Sequence, residues 1–417
     1  MVRSPKLFLP DRRKRECPAK AIFVPMANEK LFSAFPHITR EEWEAVIKRE
    51  LKGNEASSLD VRVGGVTLSA FHVLDDGAPI GNARRGMKRA GNTWRITIPV
   101  NASDPQANDL LLDGLMGGAD GVELHGNVND LPAAVKDVLL DAIELQVRSG
   151  SIEALHWLIA EADRQKIQRN TFSLCAGLPH DVDLAGVRML VNDCPLVRLF
   201  EVGDERIPGN PDPIATTLDM ISQGRASLQR MLDDGFSIDD AAARIQFRLL
   251  LGDDLMLEAA RIRALREAWS GIVASFSPAH ACSHNVWIQC MVQYPSKVSS
   301  PHENVIRATL QAISAITGGC DGLTIPAPVL PEGDPLARRV VRNIHNLLRD
   351  ESFLARVADP LGGSYTIEKI TSTLVMALTH RESADLPMAS GQQPTASIPN
   401  REEIPLKSYY TALDIKD

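Results

Sequence analysis

His280, Cys282 and His284 stand at i, i+2 and i+4 in the run AHACSHNVWIQ, where the reading is a strand. Strand alternation puts two imidazoles and a thiol on one face, a donor set suited to a soft divalent metal. A structural zinc site needs four ligands and no fourth stands nearby, so these are read as polar residues at a strand end, and no metal site is assigned. Arg244, Gln246 and Arg248 share one parity in ARIQFRLLLG. They face either covering helices or the interior of whatever the strand builds; facing inward, they offer an anion site. Arg244 and Gln246 are therefore the candidate substrate-binding residues. Cys17, Cys175, Cys194, Cys290 and Cys320 each lie beside apolar residues, which marks buried, inert thiols. No GxSxG elbow, P-loop or CxxC pair occurs, and no catalytic residue is assigned.

The elements that must position these residues repeat with a rhythm. Short apolar runs occur at Trp94–Val100, Gly121–Leu124, Ala142–Val147, Thr171–Ala176, Leu196–Val202, Arg244–Leu251, Ala281–Val292 and Gly322–Pro326. Between and after them, helical periodicity falls near 104–117, 130–140, 151–166, 181–191, 213–234, 256–275, 303–317 and 334–351. Eight strands alternating with eight helices predict a (β/α)8 TIM-type barrel over 94–380. An open doubly wound sheet is the alternative, weakened because no glycine fingerprint follows the first strand. Gly117-Gly118 and Gly318-Gly319 end helical runs as left-handed caps. Ahead of the barrel, residues 1–93 form an arm. It holds a helix over Arg40–Lys52, capped by Thr39 with Glu42, and a hairpin around Gly64-Gly65. Residues 381–400 have linker composition and open a tail that runs to 417.

The 417 residues carry 45 basic and 53 acidic side chains, a formal charge of −8 that leaves no nucleic-acid footprint. No apolar run is long enough to span a bilayer, no secretory signal is expected at the start of the chain, and six cysteines, none in a CxxC pair, fit a reducing compartment. The expectation is a cytoplasmic protein without membrane or nucleic-acid partners.

Several segments together resemble the methylmalonyl-CoA mutase family. Met256–Trp269 is similar to the helix after that family's sixth strand, Pro301–Thr309 to its seventh helix and Arg338–Asn343 to its eighth. Asp359-Pro360-Leu361-Gly362-Gly363-Ser364-Tyr365 resembles its DPAGGSY signature. Phe35–Gly53 resembles the opening of the small, non-catalytic subunit of heterodimeric members. The resemblance covers about 35–380. It implies interconversion of methylmalonyl-CoA and succinyl-CoA by radical rearrangement, with adenosylcobalamin supplying the chemistry and the acyl-CoA threaded along the barrel axis.

The departures from that pattern shape the expectation. No DxHxxG corrin-binding motif occurs, so no cobalamin domain is expected. The family's substrate-holding Tyr-His pair is replaced by the region Phe200–Glu205, and its Gln-Ser pair by Asp321-Gly322. The tyrosine and arginine expected before the first barrel helix are absent from Pro99–Ser103. A glutamine expected on the seventh strand falls near Cys290. Arg244 alone keeps a substrate-contact position, with Gln246 as its neighbour. Bulky Leu145, Val147, Phe172, Leu174, Phe247 and Leu249 suggest a filled lumen. The expectation is a catalytically silent small subunit of a heterodimer, with adenosylcobalamin on the catalytic partner chain. Two alternatives stay open: an acyl-CoA-binding catalytic barrel that borrows a separate cobalamin subunit, and a non-enzymatic scaffold. The tail segment Glu403–Thr411 resembles the arm that begins catalytic chains.

Overall fold

The computed structural model describes residues 38–63, 66–72, 91–148, 150–203, 212–295, 301–328 and 335–382. The expected tail arm and most of the 381–400 linker lie outside the described residues. The chain divides into a small unit ending at Leu59 and a large one starting at Asp60.

In the small unit, helix α1 (Arg40–Glu50) begins where the sequence places it. Thr39 accepts from the Glu42 amide, and the Glu42 carboxylate accepts from the Thr39 amide, which satisfies two otherwise unpaired donors. None of its residues is buried within the unit.

The large unit opens with an antiparallel hairpin, β1 (Val61–Val63) against β2 (Val66–Leu68). Nine parallel strands follow: β3 (Arg95–Asn101), β4 (Gly121–His125), β5 (Glu144–Val147), β6 (Leu174–Cys175), β7 (Val197–Arg198), β8 (Phe200–Gly203), β9 (Ile245–Leu250), β10 (Trp287–Met291) and β11 (Gly322–Thr324). Their order is β7-β6-β5-β4-β3-β11-β10-β9-β8. The two edge strands, β7 and β8, are consecutive in sequence and separated only by Leu199. The segment 197–203 pairs with β6 through its first half and with β9 through its second, so eight staves close into a barrel. The Leu199 and Phe200 amides both donate to the Arg244 carbonyl, which carries the bonding across the break.

Around the barrel run α2 (Ala107–Met116), α3 (Leu131–Ala134), α4 (Ile152–Arg164), α5 (Leu184–Val191), α6 (Pro213–Asp233), α7 (Ile238–Ala243), α8 (Leu255–Ser275), α9 (Pro301–Gly318), α10 (Pro335–Asn346) and α11 (Tyr365–Glu382). Two fall short of their expected spans. The helix near 130–140 stops at Ala134, and Asp137 takes a left-handed φ of 61° that cannot continue it. The helix near 334–351 ends as a π turn over Leu347–Glu351.

Helix α8 is the most deeply set. Its Arg261, Arg263 and Arg266 are all buried and all used. Arg266 donates to the Val286 and Gly319 carbonyls and to Asp321, stapling α8 to the starts of β10 and β11. Arg263 pairs with Asp359 and with Glu368 of α11. The Gly363 amide donates to the same Glu368 carboxylate, and Gly363 holds φ +86°, where a side chain would be strained. The Asp359–Tyr365 signature thus acts here as a latch that starts α11 and fastens it over α8.

Candidate functional site

The register assigns an inside and an outside to every strand. Paired residues in parallel strands share a face, so one set runs round the interior: Thr97, Gly121, Glu123, Glu144, Gln146, Arg198, Glu201, Gln246, Arg248, Trp287, Gln289, Gly322 and Thr324. Barrel interiors are ordinarily layered with branched apolar side chains. This one is polar and charged.

Three linked clusters fill it. In the first, Arg198 pairs with Glu144 and donates through Nε to Gln246 Oε1 at 2.8 Å, while its guanidinium lies 4.4 Å above the Trp287 ring. In the second, Gln146 Nε2 donates to Gln289 Oε1 at 2.8 Å, and Gln289 Nε2 donates to Thr324 Oγ1 at 3.0 Å. In the third, Arg248 donates to Glu123 Oε1 at 2.9 Å, Arg148 pairs with Glu201, and His125 Nε2 lies 3.0 Å from Glu123 Oε1. Gln246 Nε2 to Glu201 at 2.7 Å joins the first cluster to the third, and Thr324 Oγ1 to Glu123 Oε2 at 3.3 Å joins the second to the third.

Charge balance explains how such an interior is tolerated. Three guanidiniums (Arg148, Arg198, Arg248) meet three carboxylates (Glu123, Glu144, Glu201), each within an ion pair. A buried charge left alone would cost several kcal/mol; paired and hydrogen-bonded, that cost is largely offset. Glu123 displays the balance. Burial pushes its carboxyl upward, but the His125 hydrogen bond and the Arg248 and Arg148 charges outweigh burial and hold it at about 2. It is an anion at any working pH and is unsuited to general acid or base work.

The sequence candidates separate. Gln246 does face the lumen, held between Arg198 and Glu201. Arg244 does not: it caps α7, and its guanidinium donates to the carbonyls of Cys194 at 2.6 Å, Val197 at 2.8 Å and Val191 at 3.1 Å. That position closes the end of α5 outside the barrel. Arg248, grouped with Arg244 and Gln246 by parity but not chosen as a substrate-binding residue, does enter the lumen. Gln289, one residue before Cys290, faces the lumen, whereas Cys290 faces the helices and is buried.

Two further expectations are corrected. Leu145, Val147, Leu174, Phe247 and Leu249 point outward to the helix layer, as Phe247 shows by meeting Trp269 of α8 edge-on at 5.0 Å. The lumen is filled, but by hydrogen-bonded polar groups. His280, Cys282 and His284 do not lie on a strand. The Asp239 carboxylate accepts from the amides of Ala279 and His280 and from Ser283 Oγ, and this curls Ala281–His284 into a 3-10 turn. Cys282 is exposed, His284 turns to Ser270, and no cluster able to hold a metal occurs among the described residues.

The remaining signal was present in sequence as alternation: Glu123/His125, Glu144/Gln146/Arg148, Gln246/Arg248 and Gln289/Met291 repeat at a spacing of two. Toward the N-terminal ends of the strands, Trp94, Arg95, Asp120, Trp287 and Asp321 line a cavity of about 510 Å³, and its charges are engaged: Arg95 with Asp120, Asp321 with Arg266. Among the described residues no helix is long and apolar enough to cross a membrane.

Comparison with known proteins supplies a family. Residues 212–381 match the model of the family described as methylmalonyl-CoA mutase. The chain is 27% identical over 388 residues to the methylmalonyl-CoA mutase small subunit of Porphyromonas gingivalis, covering 83% of this chain and 62% of that one. It is 26% identical over 398 residues to the small subunit of Streptomyces virginiae, covering 83% and 63%. To the methylmalonyl-CoA mutase of Rhizobium meliloti it is 32% identical over 159 residues, 37% of this chain and 22% of that one. The chain thus spans about three fifths of the length of the curated small subunits it matches.

Proposed function

Because residues 212–381 belong to the methylmalonyl-CoA mutase family, we propose that this chain is a barrel subunit of an acyl-CoA mutase that supports a catalytic partner and does not itself turn over substrate. The observation that carries this reading is the lumen. An acyl-CoA threaded along the axis would have to displace Gln146 from Gln289 and break the Arg198–Glu144 and Arg248–Glu123 pairs. Each displaced ion would be left buried and uncompensated, at about 3–5 kcal/mol per broken pair. A neutral thioester stem offers nothing to replace those charges. The reading of an acyl-CoA-binding catalytic barrel is disfavoured on the same ground.

Adenosylcobalamin is placed on the partner chain. In support of that assignment, His125, at the C-terminal mouth where barrel enzymes do chemistry, has its Nε2 committed to Glu123. The partner is accordingly a catalytic, cobalamin-binding mutase chain, and the assembly a heterodimer. Helix α1, whose Trp43, Val46, Ile47 and Leu51 follow one stripe with none buried in its own unit, suits a role in holding that partner.

The test is to incubate the isolated chain, and the chain with a cobalamin-binding mutase subunit, with adenosylcobalamin and methylmalonyl-CoA. The expected outcome is co-purification of the pair and turnover only by the pair. Succinyl-CoA formed by the isolated chain, or calorimetric heat on titrating it with millimolar methylmalonyl-CoA, would sink the proposal.

A further inference from the structure

Six arginines are buried among the described residues. Five of them meet a carboxylate: Arg198 with Glu144, Arg248 with Glu123, Arg261 with Glu258, Arg263 with Asp359 and Arg266 with Asp321. Arg244 forms no such pair. It is 3% exposed, its guanidinium meets only the carbonyls of Val191, Cys194 and Val197, and its Nε has no partner. Carbonyls at the end of α5 carry partial charge, which offsets a full cation incompletely. Burial accordingly lowers the pKa of Arg244, and the charge of Asp240 opposes this without overcoming it.

This undercompensated cation borders a cavity. About 460 Å³ of space lies between α5, the α6–α7 turn and α7, lined by Arg188, Met189, Asn192, Phe236, Asp240 and Arg244 among others. Arg188 brings a second guanidinium without a carboxylate. Its Nη1 donates to the Asp234 carbonyl at 2.6 Å, its other donors meet no described group, and it stands 6.0 Å over the Phe236 ring. Gly235 holds φ +87°, and a Cβ there would come 2.5 Å from Arg188 Nη1, so a larger residue in the turn would push that guanidinium aside. Against the two cations the lining holds one carboxylate, Asp240, whose Oδ2 accepts from Ser237 Oγ at 2.7 Å. The wall thus keeps one positive charge in excess, with Phe236 and Met189 as its apolar part.

We propose that this cavity binds a small organic monocarboxylate, its head on the free donors of Arg188 within the field of Arg244 and its apolar body against Phe236 and Met189. A guanidinium matches a carboxylate through parallel N–H···O bonds. One negative charge completes the balance of the wall, whereas a dianion would leave an excess beside Asp240. Concave sites with apolar walls and a few placed polar groups are the usual form of small-molecule sites. The cavity lies in the helix layer, outside the lumen, and the inference does not depend on the chain being catalytically silent.

Calorimetric titration of the full chain with benzoate, at an ionic strength fixed by sodium chloride, tests the site. Binding at one site with a Kd of about 1 mM is expected. Benzyl alcohol, which has the ring without the charge, is expected to give no heat, and inorganic phosphate to bind at least about tenfold more weakly than benzoate. Arg188→Gln changes an exposed side chain and is expected to weaken benzoate at least about tenfold through the loss of a charge-assisted pair. Met189→Glu, at a residue 81% exposed, sets a second carboxylate on the wall and is expected to weaken benzoate likewise, so the site stays testable if Arg188→Gln does not fold. No benzoate binding by the wild-type chain up to about 50 mM, or benzoate binding retained in either folded variant, overturns the proposal. Benzyl alcohol binding as well as benzoate, or phosphate binding more tightly, overturns the assignment to a monocarboxylate.

Discussion

Glu123→Gln tests the lumen network at its most perturbed group. In the folded protein the Glu123 carboxyl is held at about 2, against an ordinary 4.5. A depressed folded value stabilises the protein above the unfolded value, and that stabilisation is lost as pH falls through the folded one. At 1.36 kcal/mol per decade, the difference amounts to about 3 kcal/mol at pH 7 and about 1 kcal/mol at pH 3, vanishing below 2. Glutamine cannot ionise, so the variant lacks this contribution at every pH. Urea unfolding of both proteins, followed by tryptophan fluorescence, gives the comparison. Carboxylates outside the lumen network titrate alike in the two chains and cancel in the difference. The stability gap is expected to be about 3 kcal/mol near neutrality and to narrow steadily between pH 5 and 3. A gap that stays constant across that window, or one under 1 kcal/mol at pH 7, refutes the claim that His125, Arg248 and Arg148 together outweigh the burial of Glu123.

Arg263→Met removes the cation between Asp359 and Glu368 and leaves both carboxylates facing a buried apolar chain. A loss of about 3–5 kcal/mol in denaturant unfolding is expected, with α11 exchanging its amide hydrogens faster than the barrel strands. Gly224→Val places its Cβ 2.9 Å from Phe247 and 3.0 Å from Trp269, so calorimetry is expected to record a destabilisation of about 1–3 kcal/mol.

Much of this molecule was legible before any coordinates. Alternating short apolar runs and helical periods gave eight staves in order, and the Thr39/Glu42 spacing gave the start of α1 to the residue. The Asp359–Tyr365 signature was visible as a pattern, but its work was not. It depends on Arg263, 96 positions away from Asp359 in sequence, meeting it across α8 and α11. The lumenal face was legible in part. Gln246 was readable as an inward-facing side chain because it sits on a strand at lumenal parity. Arg244 was misread because one residue separates the end of α7 from the start of β9, and a residue at that corner no longer follows strand alternation.

What local sequence determines here is where backbone hydrogen bonds can form regularly: strand, helix, cap and turn each leave a short-range signature in residue type and spacing. What it leaves open is which strand face becomes the inside. Both faces of a closed parallel sheet are covered, one by helices and one by the opposite wall, so burial alone does not distinguish them. Only closure decided that Leu145 and Phe247 meet helices while Glu123, Gln146 and Arg248 meet one another. The Arg248–Glu123 pair spans 125 residues, and its partners acquire charge balance only once the ring has brought them to a common axis.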